Sequence, residues 1–308
     1  MEAIRRADEI REVNTKYHDI AASTYDSKWG IDFGEVGRAQ VLGKLRKLLG
    51  SELDRGFDRS LEIGAGTGYF SLNLLQAGAV THATCTDISP GMVSTLAANA
   101  RRLGLEVKTA RADAESLPFA ADSYDLVLGH AVLHHLPNLS RAFSEFHRVL
   151  RPGGRIAFAG EPSRFGDRLA SIPKRGALLL SPAWRRLVRA RAAEAHEPGS
   201  AGESGDSDGH DLERFVDIHA FVPGDLIKLA RRAGFEQVVV RGEELVANWF
   251  GWFNRALEKS ATSEDVPMLW RQYAFHGYLL LQKVDQQVLE PLLPPRIFYN
   301  LLLTARKG

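Results

Sequence analysis

Between residues 59 and 160 short apolar runs alternate with stretches of helical period, and nothing else in the chain restricts its fold as strongly. The apolar runs fall at roughly 60–63, 81–87, 106–111, 124–129 and 154–160, with helical segments such as 92–100 (MVSTLAANA) and 139–150 (LSRAFSEFHRVL) between them. Strands that alternate with helices build right-handed βαβ units on a mainly parallel sheet. Arg151-Pro-Gly-Gly154 reads as the end of the last of these helices and a turn into a fifth strand. Before this region, residues 1 to about 50 read as helical, with Gly50 as a C-cap. After it come a basic stretch, a helix over 223–234, a strand at 237–241, an aromatic-rich helical stretch over 244–295 and a last strand at 296–305.

Composition narrows the function classes. The formal net charge is +1, so the field of the whole molecule gives no reason to expect nucleic acid as a partner. The single cysteine, Cys85, excludes an intramolecular disulfide and a cysteine metal cage, and reads as a small core side chain. The histidines are scattered, so no metal site is expected. The charged opening MEAIRRADEIREVN lacks the apolar centre of a secretory leader, and no apolar run has the length to cross a bilayer, so a cytoplasmic location is expected.

The first strand leads into LEIGAGTGYF, with glycines at 64, 66 and 68. Dinucleotides, nucleoside triphosphates and S-adenosylmethionine all bind at turns of this kind. There the missing Cβ atoms let a ligand touch the backbone at a helix N-terminus. One glycine is easily explained by a turn alone, three much less so. Asp87, nineteen positions past Gly68, ends the second strand, where a carboxylate can accept both ribose hydroxyls of a nucleoside. Ser89 and Pro90 already supply the N-cap and first turn of the next helix, which leaves Asp87 available as a ligand group. Asp113, near the end of the third strand, suits the adenine amino group, with the Ala114 N–H directed at the ring. The lysine of a P-loop is absent, as is the Tyr-x-x-x-Lys of short-chain dehydrogenases.

LEIGAGTGYF, CTDISPGM, RADAESLPF, YDLVLGHAVLHHLPN and HRVLRPGGRIAFAGEPS, in that order over about 59–162, together resemble the class I S-adenosylmethionine-dependent methyltransferases, in particular their small-molecule (type 11-like) branch. The resemblance implies an α/β, Rossmann-like seven-stranded sheet with an antiparallel last strand and helical insertions forming a lid. The corresponding division is 1–58 N-terminal helical segment, 59–162 cofactor-binding core, 163–212 basic insertion and linker, 213–243 core helix and sixth strand, 244–295 aromatic lid and 296–308 last strand. It also implies the cofactor S-adenosyl-L-methionine, with S-adenosyl-L-homocysteine as product. Glu62, Gly64, Ala65, Gly66 and Gly68 would surround the methionine part and Asp87 would take the ribose. Ile88 and Met92 would flank the adenine, and Asp113 with Ala114 would read its edge. Tyr17 and Tyr25 would close over the cofactor, and His130 would line its pocket.

A sulfonium methyl is already activated, so the enzyme's main task is to align a nucleophile behind it. By the same resemblance, His134 or His135, after the fourth strand, is a candidate general base, and either ring can equally serve only in packing. Glu161, at the tip of the fifth strand, is a second candidate base or a substrate anchor. Exocyclic-amine methyltransferases carry an Asn/Asp-Pro-Pro-Tyr/Phe motif where this chain has Gly129-His-Ala-Val-Leu133, which argues against nucleic-acid methylation.

Residues 164–191 hold eight Arg or Lys and one acid, Asp167. An ordinary solvated helix face explains them, and so does at most peripheral contact with a membrane surface or an anionic head group. The polar segment 197–209 reads as a flexible strap. The aromatic residues of 244–295 suit either helix packing or the wall of an apolar pocket. The expected acceptor is a hydroxyl or activated carbon of a small, lipid-, quinone- or natural-product-like molecule. The competing reading is a cofactor-binding module without methyl transfer. The sequence is silent on oligomeric state.

Overall fold

The computed structural model describes residues 7–22, 25–26, 30–193 and 219–308; the strap expected at 197–209 lies outside the described residues. Two helices, α1 (Ala7–Ala21) and α2 (Glu35–Leu49), precede the sheet. Gly50 ends α2 with φ +57°, the left-handed conformation that favours glycine at this position. The alternating region then runs β1 (Phe57–Ile63), α3 (Tyr69–Gln76), β2 (Val80–Asp87), α4 (Pro90–Arg102), β3 (Lys108–Arg111), β4 (Tyr124–His130), α5 (Leu139–Val149) and β5 (Leu150–Pro162). After it come α6 (Arg164–Val188), α7 (Pro223–Arg232), β6 (Phe235–Glu243), α8 (Val246–Lys259), α9 (Met268–Val284) and β7 (Asn300–Lys307).

The seven strands form one sheet in the order β3-β2-β1-β4-β5-β7-β6, with the last strand antiparallel, as expected from the sequence. β1 pairs in parallel with β2 on one side (Ile63 opposite Thr86) and with β4 on the other (Glu62 opposite Leu128). The chain order therefore reverses beside β1, which opens a crevice at the carboxyl ends of β1, β2 and β4.

Local chemistry sets the element ends. Ser89 Oγ accepts the Met92 N–H at 3.0 Å and Pro90 takes the first turn of α4; Asn138 caps α5 through the Arg141 N–H at 3.1 Å. Two boundaries differ from the sequence reading. Arg151-Pro-Gly-Gly154 does not separate a helix from a strand. β5 begins at Leu150, opposite Tyr124, and the next pair is Leu126 with Arg155, so these four residues bulge out of an extended strand. β7 starts at Asn300 rather than 296, because Pro294 and Pro295 cannot donate to a ladder and a 3₁₀ turn takes 295–297.

By contacts the chain divides into two compact units, Met1–Glu161 with Ser204–Val240 and Leu302–Gly308, and Pro162–Glu203 with Arg241–Leu301. In the first, Leu126, Leu128, Ala157 and Ala159 of the central strands are sealed from water together with Phe70, Leu74 and Leu45 from the flanking helices. Cys85 belongs to this core, as expected, and burial pushes its thiol pKa up. In the second unit α6, α8 and α9 pack around Ala177, Trp184, Leu257, Ala261 and Val266, with the Trp184 and Trp270 rings 5.2 Å apart. The Asp285 carboxylate caps α8 by accepting the N–H groups of Val246 (3.1 Å) and Ala247 (2.8 Å). No described helix is long and apolar enough to cross a membrane.

Candidate functional site

A cavity opens at the carboxyl ends of β1, β2 and β4, wholly within the first unit. Its floor is the glycine turn. All three glycines have positive φ (+60°, +53° and +98° at Gly64, Gly66 and Gly68). They do different work. A Cβ on Gly64 would come within 2.4 Å of Val132 Cγ2, so the fold itself requires that glycine. A Cβ on Gly66 would meet nothing nearer than the Tyr25 ring at 3.9 Å, so its bare face opens into the cavity.

Asp87 fixes this turn. One of its oxygens accepts the Gly66 N–H and the other the Ser89 N–H, both at 2.9 Å. Each carboxylate oxygen keeps a further lone pair, so a ribose hydroxyl can still donate to it. Tyr25 stands beside Asp87 and Asp26; burial, with those two charges, pushes its pKa up to about 12 and keeps it a neutral phenol.

Helix α1 closes one side, anchored at both ends. Arg11 lies 2.9 Å from Asp113 and 2.6 Å from Glu115, and the Asp19 carboxylate takes the Ser89 hydroxyl and the Gly91 N–H (2.9 Å) at the start of α4. These contacts place Arg11, Asn14 and His18 on the cavity wall. The sequence reading missed all three. Their signal was the partner set, acids following β3 and a serine N-cap, which have no sequence proximity to α1.

The opposite wall follows β4. Ala131, at φ +52°, holds an uncommon left-handed conformation and turns the chain into the His134-His135 segment. His135 lines the cavity, 5.6 Å from the His18 ring. His134 is buried behind it, ring centroids 4.0 Å apart. His134 Nδ1 lies 2.8 Å from Glu161, and the same carboxylate accepts the N–H groups of Val132 and Leu133 (3.0 Å each) and His134 (3.2 Å). His130 borders the cavity and stacks on Phe70 at 4.8 Å.

Of the residues singled out from the sequence, Tyr25, Gly64, Gly66, Asp87, Ile88, Asp113, Ala114, His130 and His135 line one cavity. Tyr17, Ala65 and Met92 are buried, and Gly68 packs against Leu72 and Leu96. Glu62 is fully buried under the turn, where it accepts the Ser71 N–H at 2.9 Å. Desolvation raises its pKa to about 7. Glu161 is sealed from the cavity as well, so it acts on the site through the loop it holds. Among the described residues no group of acids, histidines and cysteine is arranged to hold a metal.

Residues 61–158 match the family model described as a methyltransferase domain. The likeness to methyltransferase domains is carried by this span of the chain. The match covers all three glycines, Asp87, Asp113 and the histidine pair, and bears out the resemblance to class I methyltransferases. Among relatives, a malonyl-acyl-carrier-protein O-methyltransferase of Methylococcus capsulatus is 38% identical over 179 residues, which is 54% of this chain and 59% of that protein. The chain thus matches little more than half the length of this relative. Among solved structures, a phosphoethanolamine N-methyltransferase of Haemonchus contortus (TM-score 0.58, 16% identical, 100% of this chain and 61% of that one) shares the fold. So does the 4+2 cyclase SpnF (TM-score 0.56, 18% identical, 97% of each chain).

The donor set of this cavity fits S-adenosylmethionine. Gly66 leaves room at the backbone, Asp87 offers acceptors at the tip of β2, and Ile88 with Ala114 gives apolar flanks beside the Asp113 carboxylate.

Proposed function

We propose that the chain is an S-adenosylmethionine-dependent methyltransferase whose acceptor is a hydroxyl, or an activated carbon, of a small and largely apolar molecule. One observation carries this reading: the bare backbone of Gly66, the carboxylates of Asp87 and Asp113, and the His135 ring all face the same cavity. The name of the Methylococcus capsulatus relative, an O-methyltransferase acting on an acyl group borne by a carrier protein, supports an oxygen acceptor attached to an acyl chain.

S-adenosylmethionine supplies a methyl group already activated by a sulfonium. The protein's contribution is alignment, which can lower a barrier by roughly 7–11 kcal/mol. Asp87 orients the nucleoside while holding the Gly66 turn, and α1 excludes water from that side. On the β4 side His135 is placed to take the acceptor proton, a contribution on the order of 10²–10⁴-fold for a hydroxyl. His134, held by Glu161 behind it, keeps that ring in place.

Titration calorimetry with S-adenosylmethionine and with S-adenosylhomocysteine tests the premise, and heat of binding from both is expected. Absence of heat from either ligand refutes the reading. Binding without transfer of labelled methyl to any lipid, quinone or acyl acceptor supports instead a cofactor-binding module, an outcome consistent with a cyclase sharing this fold.

A further inference from the structure

Helix α6 carries a largely exposed apolar row, touched near its middle, at Gly176, by Phe253 of α8. Phe165, Leu169, Ile172, Leu179, Ala183 and Leu187 follow one another at helical spacing, so they share one stripe along its length. The stripe is well exposed: Ile172 keeps 58% of its surface, Leu179 82% and Leu187 79%. The helix already has a core-facing side, made of Gly166, Ala170, Ala177, Ser181 and Trp184, so the leucines are not needed for internal packing. Large apolar patches on a protein surface mark interaction sites.

Charge identifies the partner. Arg168, Arg175 and Arg186 form a second exposed row along the edge of the stripe away from the buried side. α6 has six Arg or Lys and a single acid, Asp167, whereas the whole chain is balanced at +1. The neighbouring α9 repeats the chemistry. It has no buried residue, no acid, the cations Arg271 and Lys283, and an exposed row of Leu269, Tyr273, Leu280 and Val284.

We propose that α6 lies in the plane of an anionic lipid surface, with the Leu179–Leu187 row sunk among acyl chains and the arginine row at the level of the head groups. The order around the helix, basic then apolar then core-facing, is the arrangement an interfacial helix needs. With six cations the helix cannot span the bilayer instead. A second copy of the chain is the poorer occupant in antiparallel two-fold pairing, which would bring identical arginine rows together, and the sedimentation measurement below covers the parallel arrangement.

The inference does not depend on methyl transfer, and its test needs no cofactor. The full chain is floated with vesicles of phosphatidylcholine carrying about one-third phosphatidylglycerol, and with vesicles of phosphatidylcholine alone. Binding to the anionic vesicles only, weakened by added salt, is expected. The triple variant Arg168→Gln/Arg175→Gln/Arg186→Gln should lower partitioning on the order of 100-fold. Leu179→Glu with Leu187→Glu should abolish it, while circular dichroism shows the fold intact. These positions are exposed on a helix, where glutamate is well tolerated. No flotation of the full chain, flotation unaffected by both variants, or a dimer in sedimentation that Leu179→Glu dissociates would each overturn the assignment.

Discussion

His134 Nδ1 lies 2.8 Å from the Glu161 carboxylate, which is itself fully buried and accepts three backbone N–H groups from Val132, Leu133 and His134. One side chain at the tip of β5 therefore orders the whole segment that follows β4 and carries the histidine pair. Glu161→Ala would leave these donors buried without a partner, at roughly 1–3 kcal/mol for each. The expected outcome is a loss of at least about 3 kcal/mol in urea unfolding. A variant as stable as the parent would show that water or a shifted loop serves the donors equally well.

His135 differs from His134 in facing the cavity. On the proposed mechanism, in which this ring takes the acceptor proton, His135→Ala is expected to lower turnover on the order of 10²–10⁴-fold while cofactor affinity holds. Calorimetry and a labelled-methyl assay on the same preparation separate the two effects. Full turnover in this variant would reduce the ring to a packing role.

The glycines of the turn separate folding from binding. Gly64→Ala meets Val132 at 2.4 Å and should destabilise the domain visibly in urea. Gly66→Ala has space on the protein side, so its structural cost is about 1–2 kcal/mol for the left-handed backbone. Its main effect should be a loss of cofactor affinity. Equal behaviour of the two variants in both measurements would contradict an open face at Gly66.

Most of the sheet was legible in the chain because each strand there is followed by its own turn chemistry, Gly64–Gly68, Ser89-Pro90 and Asn138. The acidic and glycine parts of the site were legible for the same reason, since they sit at strand tips. The α1 wall was not. Arg11 reaches Glu115, more than a hundred positions away, and an arginine on a helix gives no sign of which distant carboxylate it will meet. The depth of Glu161 was equally hidden. An acid at a strand end reads as accessible, and only the fold of 131–135 back over it supplies enough donors to bury it.

Arg11 gives a prediction about motion. Its guanidinium joins α1 to Asp113 and Glu115 at the cavity wall. Arg11→Ala should leave the sheet intact but release this end of α1. Amide exchange in 7–21 should then speed up while β1 and β4 keep their protection. Unchanged exchange in α1 would mean that the Asp19 contacts to Ser89 and Gly91 alone hold the helix.

Glu62 makes stability depend on pH in the direction opposite to a paired carboxylate. Burial raises its pKa from 4.5 to about 7, so the folded protein keeps its proton over a range where the unfolded chain has lost it. Below about pH 4.5 both states are protonated and Glu62 contributes no slope. Between that value and about 7 the folded state binds more protons, so stability falls as pH rises, by an amount on the order of 3 kcal/mol. Above about 7 the loss is complete and the slope vanishes again. Glu62→Gln retains an acceptor for the Ser71 N–H without the ionisation. Urea unfolding at intervals between pH 5 and 8 should therefore show the variant gaining on the parent as pH increases. Parallel curves for the two proteins would mean that Glu62 ionises at an ordinary pKa and that its site is wetter than the packing under the glycine turn implies.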